Sequence, residues 1–277
     1  VEKGWGVCDR EISPNYRGEI LREDEIIIRL IDLFNKYKIS ATWAIVGHML
    51  TKNFPKNKNI IHPEYIRPFF NNSNYDWFEP FNGDFDINLY YGKQIINMIN
   101  SSSIKQDIGC HSYSHIPYNE NNINKRIIIK DIQLAREIFK QNNLPFNNFI
   151  FPRNIIGFKD QLAKNGVKTF RGVIKRWYHS LPFKTLIRFL NYFYFLLKFT
   201  PKSIVPKFDN GMLDIPGSLL FFGRDGIRRY IPKNNIIHMC KSGIDNAIEN
   251  NEIFHLWFHP SNFYCTTDTQ FSILEKI

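Results

Sequence analysis

The 277-residue sequence predicts an α/β protein of βα units around a parallel sheet or barrel. Two observations carry this. Short apolar runs alternate with longer stretches of helical periodicity, and the residues able to do chemistry stand where the apolar runs end. In chain order, Glu23–Tyr37 places Ile26, Ile27, Leu30, Ile31 and Phe34 on one helical face. Ala41–Val46 follows as a buried strand ending at Gly47. A second step runs through the helix Tyr91–Asn100 into the strand Asp107–Gly109, and a third through Ile127–Asn142 into Asn148–Phe151. Then come Gln161–Asn165 with Thr169–Gly172, Met212–Ile215, and the helix Gly243–Asn250 feeding a strand Ile253–Phe258. About seven strands result.

Composition narrows the class. With 43% hydrophobic and 22% charged residues, 14 Pro and 15 Gly, the chain has the core of a globular protein and is neither disordered, collagen-like nor a solenoid. Length alone does not separate one domain from two. No composition shift marks a boundary, so residues 1–277 read as a single domain, cut short at its N-terminal strand and with a C-terminal truncation left open. Residues 51–90 read as a long loop insertion, irregular and rich in Asn, Pro and aromatics, of the kind used as lids. The four cysteines, at 8, 110, 240 and 265, form no CxxC pair and no disulfide framework, so reduced, mostly buried thiols are expected. No signal peptide and no 18-residue uncharged apolar run appears, so a spanning helix is not expected, and secretion does not follow either way from this sequence; a cytoplasmic or membrane-peripheral location is the working expectation.

The charge is local. Between Lys168 and Lys233 lie 13 of the 36 Lys/Arg but only 3 of the 26 Asp/Glu, so this segment carries the whole net charge of +10. An anionic partner should meet it there. Inside it, Phe183–Phe199 is apolar almost all round, with Lys184, Arg188, Asn191 and Lys198 as a narrow polar stripe. Two readings stay open: a buried barrel helix, or an interfacial helix lying on an anionic membrane through 168–233. Basic charge and 16% aromatics permit nucleic-acid binding, but no helix-turn-helix, zinc-finger or RNA-stacking signature accompanies them.

Four segments carry chemistry. His111-Ser112-Tyr113-Ser114-His115 follows a strand, and two His at i and i+4 on one face of a helical turn can reach one metal ion. Ser at 112 excludes the HExxH metalloprotease pattern. In Leu256-Trp257-Phe258-His259-Pro260 an apolar strand ends in a His able to exchange protons near neutrality, with His255, Trp257 and His259 on one face. Ile150-Phe151-Pro152-Arg153-Asn154 again runs from strand to charge, and Asp9 follows the apolar Trp5-Gly6-Val7-Cys8. Sites of α/β folds collect at such strand ends.

Together these segments resemble the polysaccharide deacetylases, the NodB-homology family of carbohydrate esterases, family 4. His111–His115 is similar to the family's HSxxH metal motif, the segment around Arg153 to its arginine motif, and Leu256–His259 to its leucine-histidine motif. The WGV segment, Ala41-Thr42-Trp43-Ala44-Ile45-Val46-Gly47, FPRN and the segment Trp257–Asn262 resemble the bacterial surface-polysaccharide branch, and the resemblance covers nearly the whole chain. It implies a distorted (β/α)7-type barrel of the glycoside hydrolase/deacetylase kind. It also implies a divalent metal, most often Zn2+, held by His111, His115 and Asp9, and hydrolysis of an N-acetyl group on a sugar of a cell-surface polysaccharide or its lipid-linked precursor. His259, Arg153 and Asp9 would be the catalytic residues and Asn154 and Trp257 would bind substrate. The departure is at the first motif, where adjacent aspartates are expected and Cys8-Asp9 stands. Either Asp9 is the metal carboxylate and the base is lost or replaced, with Glu2 a substitute, or the base lies just upstream of Val1. The alternative function is a catalytically inactive, carbohydrate-binding protein of the same fold.

Overall fold

A computed structural model of the chain describes residues 1–7, 12–51, 86–121, 123–174 and 184–277. The chain divides into two compact units: Val1–Phe170 with Asp209–Met212, and Arg171–Phe208 with Leu213–Ile277. The class is mixed α/β with parallel pairing at its centre, as the alternation predicts.

The first unit opens on a 3-10 turn, Lys3–Val7, where the sequence predicts a strand. Only Val1 holds a strand position: its nitrogen donates to Ala44 O at 2.6 Å and its carbonyl accepts from Val46 N at 3.3 Å. That is the bonding of a parallel partner beside Ile45. Helix α1 (Pro14–Leu21) starts at Ser13, whose side chain caps the Tyr16 amide, with Pro14 pre-set for the first turn. Helix α2 (Glu23–Tyr37) has the predicted bounds, and Ile26, Ile27, Leu30, Ile31 and Phe34 are all buried. Each such burial contributes roughly 1.5–3 kcal/mol. β1 (Thr42–Ile45) lies parallel to β2 (Asp107–Cys110), with Ile45 opposite Cys110. Between them comes α3 (Gln94–Asn100). Most of the predicted insertion 51–90 lies outside the described residues.

Helix α4 (Lys125–Gln141), capped by the Asn124 side chain, leads into β3 (Asn148–Ile150), which pairs parallel to β2. α5 (Lys159–Lys164) and β4 (Thr169–Arg171) follow. β5 (Lys207–Asp209) and β6 (Met212–Asp214) form a hairpin across Asn210-Gly211, and the sheet order is β1-β2-β3-β4-β6-β5. Both turn residues have positive φ, 50° and 75°, the requirement that selects Asn-Gly in two-residue hairpins.

In the second unit α6 (Lys184–Leu196) and α7 (Lys233–Asn250) accompany a parallel pair, β7 (Leu219–Leu220) with β8 (Leu256–Trp257), and the chain ends on α8 (Thr267–Glu275). Two expectations change. The helix predicted for Gly243–Asn250 begins ten residues earlier, at Lys233, because Ile236, Met239 and Cys240 extend its buried face. The strand predicted for Ile253–Phe258 shrinks to Leu256–Trp257, since Ile253 instead bridges Ile204. The sheets among the described residues thus hold eight strands of two to four residues where about seven were expected. Cys110 and Cys240 are buried free thiols and Cys265 is half-buried; Cys8 lies outside the described residues. No described helix is long and apolar enough to cross a membrane.

Candidate metal centre

The predicted pair His111 and His115 meets, but not on a helical turn. β2 ends at Cys110, and residues 111–115 run irregularly, with Ser112 and His115 in the left-handed region at φ 66° and 56°. That path folds the two imidazoles onto each other, with ring centroids 4.8 Å apart. Non-glycine residues avoid this region, so two within five positions store strain that the surroundings must hold.

The holding group is Asp131 of α4. Its carboxylate, fully buried, accepts from the Tyr113 amide at 3.0 Å, the Ser114 amide at 3.0 Å and the Tyr118 hydroxyl at 2.9 Å. Burial pushes the Asp131 carboxyl up, while the three donors oppose that shift. The loop is tied on its other side too: Gly47 N donates to Ser112 O and His48 N to Tyr113 O, both at 2.9 Å. The buried His48 ring lies between Trp5, stacked at 4.2 Å, and Tyr113 at 4.4 Å.

The third member of the cluster is Glu2. Its Oε2 is 2.7 Å from His115 Nε2 and 3.5 Å from His111 Nε2, and one ligand atom from each of the three residues lies within 4.8 Å of the others. Val1, alongside Ile45, delivers Glu2 at the same strand end from which His111 leaves β2. Gly6 makes room: a Cβ there would lie 2.7 Å from the Glu2 carboxyl carbon. His111 Nδ1 hydrogen-bonds Ile150 O at 2.7 Å, which makes it the protonated nitrogen and leaves Nε2 with a lone pair aimed at the cluster. Burial pushes the His111 pKa down to about 4, with Glu2 acting against it, so the ring is neutral near pH 7, the form that ligates a metal. Two imidazole nitrogens and one carboxylate in a mostly buried pocket fit a divalent metal of the zinc kind, with coordination positions to spare.

Among the other predicted site residues, Asp9 lies outside the described residues. Arg153 and Asn154 stand in the 3-10 turn after β3, at φ 54° and 56°, three and four residues beyond the carbonyl that binds His111. His259 and Trp257 belong to the second unit, where their rings meet edge-on at 5.9 Å. There the Arg171 guanidinium lies over the Trp257 ring at 4.2 Å, and His255 hydrogen-bonds Ile215 O at 3.2 Å. Burial, with Arg171 beside it, lowers the His255 pKa. Asn262 caps His259 N through Oδ1 at 2.9 Å. Sequence reasoning missed Asp131 and His48. Asp131 carried a signal, an acid on the apolar stripe of Ile128, Ile132, Ala135 and Ile138; His48 carried none beyond ending an apolar strand.

Among known proteins, no family model and no curated sequence matches the chain.

Proposed function

We propose that the protein is a metal-dependent N-deacetylase, hydrolysing an N-acetyl amide on a sugar of a cell-surface polysaccharide or its lipid-linked precursor, on a distorted (β/α)7-type barrel. The observation that carries this reading is the convergence of His111, His115 and Glu2 where parallel strands end. These three residues would hold the ion, with Glu2 in the ligand place first expected of Asp9. When bound, a zinc-like ion supplies Lewis-acid polarisation of the amide carbonyl and a lowered pKa for the attacking water. The chain's own residues do the rest. Asp9 takes the proton of the water, His259 gives one to the departing amine, and acetate and a free amino sugar result. Arg153 orients the carboxylate, and Asn154 and Trp257 contact the sugar. Asp131 and Ile150 O keep the imidazoles in place during turnover.

One observation favours the second reading, a carbohydrate-binding protein of this fold without turnover. Glu2, the carboxylate that could replace a missing base, is held against both imidazoles instead. The test is acetate release from a panel of N-acetylated sugars by zinc-loaded protein, with sugar binding measured alongside. Metal-dependent release that Asp9→Asn abolishes supports the deacetylase. Sugar binding with no release by metal-loaded protein selects the second reading, and neither release nor binding rejects both.

A further inference from the structure

The second unit carries a surface with exposed apolar side chains. At the end of α6, Leu197 is 60% exposed and Phe199 53%, with Phe193 beside them on the helix and Tyr194 stacked on Phe199 at 5.5 Å. Other groups at this end of the helix are held within the unit. Phe195 packs edge-on against Phe222 at 4.5 Å, and Asn235 Nδ2 donates to the last carbonyls, Phe195 O at 3.2 Å and Leu196 O at 3.1 Å.

A second element adjoins it. The 3-10 turn Gly226–Tyr230 buries none of its residues, and Ile227 and Tyr230 are each 64% exposed. Arg224 pins this turn through Ile231 O and Arg229 O, and Arg228 lies over the Phe222 ring, the same ring that Phe195 packs against. Two outward apolar edges thus share one anchor. Basic residues are interspersed along both segments: Lys198, Lys202, Arg229 and Lys233 are exposed, and Arg229 lies over the Tyr230 ring at 4.9 Å. The neighbouring acid, Asp225, is bound by Arg228 at 2.6 and 2.8 Å.

We infer that this face, Phe193–Lys202 with Gly226–Lys233, docks on an anionic lipid bilayer. Exposed aliphatic and aromatic side chains interspersed with Lys and Arg are what an interface of head groups over acyl chains receives. Charge complementarity selects that occupant. Nucleic acid would use the cations but has no place for Leu197 and Ile227, which cannot stack on bases as aromatic rings do. A second copy would bring a +10 chain against itself across its most basic segment. Helix α6, 13 residues or about 20 Å long, lies on the surface and does not span it.

The inference is independent of the deacetylase reading, and its test does not use activity. Full-length protein is sedimented with phosphatidylcholine vesicles, with and without about a third phosphatidylserine, at low and high salt. Binding is expected on the anionic vesicles, falling at least tenfold at high salt and at least tenfold in the K198E/R229E variant. The L197S/F199S and I227S/Y230S variants should each lose binding as well, with unchanged circular dichroism and metal content. Equal binding to neutral vesicles, no binding at low salt, or binding unaffected by both apolar pairs overturns the inference. So does a dimer in sedimentation that Leu197→Ser dissolves, or oligonucleotide binding that survives both apolar pairs.

Discussion

Asp131 and Tyr113 are joined by a 3.0 Å hydrogen bond in which a fully buried carboxylate accepts from the backbone between two candidate metal ligands. The bond explains how a five-residue segment holds two left-handed residues without being a helix. Its loss should be felt twice, in the fold and in the site.

Asp131→Ala leaves the Tyr113 and Ser114 amides and the Tyr118 hydroxyl buried without their acceptor. At about 1–3 kcal/mol for each unsatisfied group, partly recovered by relaxation, the expected destabilisation is roughly 3 kcal/mol or more. Urea denaturation measures it. Metal affinity should fall about 10–100-fold, the range for residues that position ligands. A variant with wild-type stability and metal affinity would show that Asp131 does not hold the loop.

Direct ligand variants separate the cluster from its surroundings. Purified protein should bind one divalent ion per chain, and His111→Ala, His115→Ala and Glu2→Ala should each lower affinity by more than the Asp131 variant does. Elemental analysis after dialysis against limiting zinc reads this out. Equal metal content in Glu2→Ala would return the carboxylate place to Asp9.

The metal-free protein should lose stability as pH falls from about 6.5 towards 4. His111 has its folded pKa lowered to about 4 from the ordinary 6.5, so in that window the unfolded chain binds a proton that the folded chain refuses. Stability therefore rises with pH across the window, by about 3 kcal/mol in all, and is fully present above 6.5. Chelator-treated protein melted at a series of pH values should show that slope, and His111→Asn should flatten it.

Kinetics address the proton donor proposed above. His259→Ala should lower kcat by roughly 10²–10⁴-fold on an N-acetylated sugar, with metal content unchanged. A variant that loses activity only by losing metal would remove His259 from the chemistry.

Gly172 and Gly217 test the packing of the second unit. A Cβ at Gly172 would lie 2.0 Å from Asp214 Oδ1, and one at Gly217 would lie 2.7 Å from Trp257 Cδ1 and Nε1. Alanine at either should destabilise by about 1–3 kcal/mol, since neither the carboxylate nor the indole can withdraw at no cost. Thermal melts with unchanged unit 1 metal binding would place the effect in the second unit.

By itself the sequence determined the elements whose periodicity is strong. Helix α2 has the bounds read from its apolar stripe, and β1, β2 and β3 fall within a residue or two of the apolar runs that predict them. It also singled out His111 and His115, because spacing limits how far apart two side chains can be. Three things only the tertiary structure decided. The segment 111–115 takes its shape from Asp131, 16 to 20 residues away on a helix, and local propensity cannot foresee positive φ imposed by a distant carboxylate. Glu2 reaches the imidazoles because Val1 lies beside Ile45, a pairing more than forty residues apart in the chain. Leu197 and Phe199 stay exposed while Phe195 packs on Phe222, and Ile227 and Tyr230 stay exposed on a turn that Arg224 pins. Composition says that a segment is apolar and basic, but which face of it meets water is settled by what packs on the other.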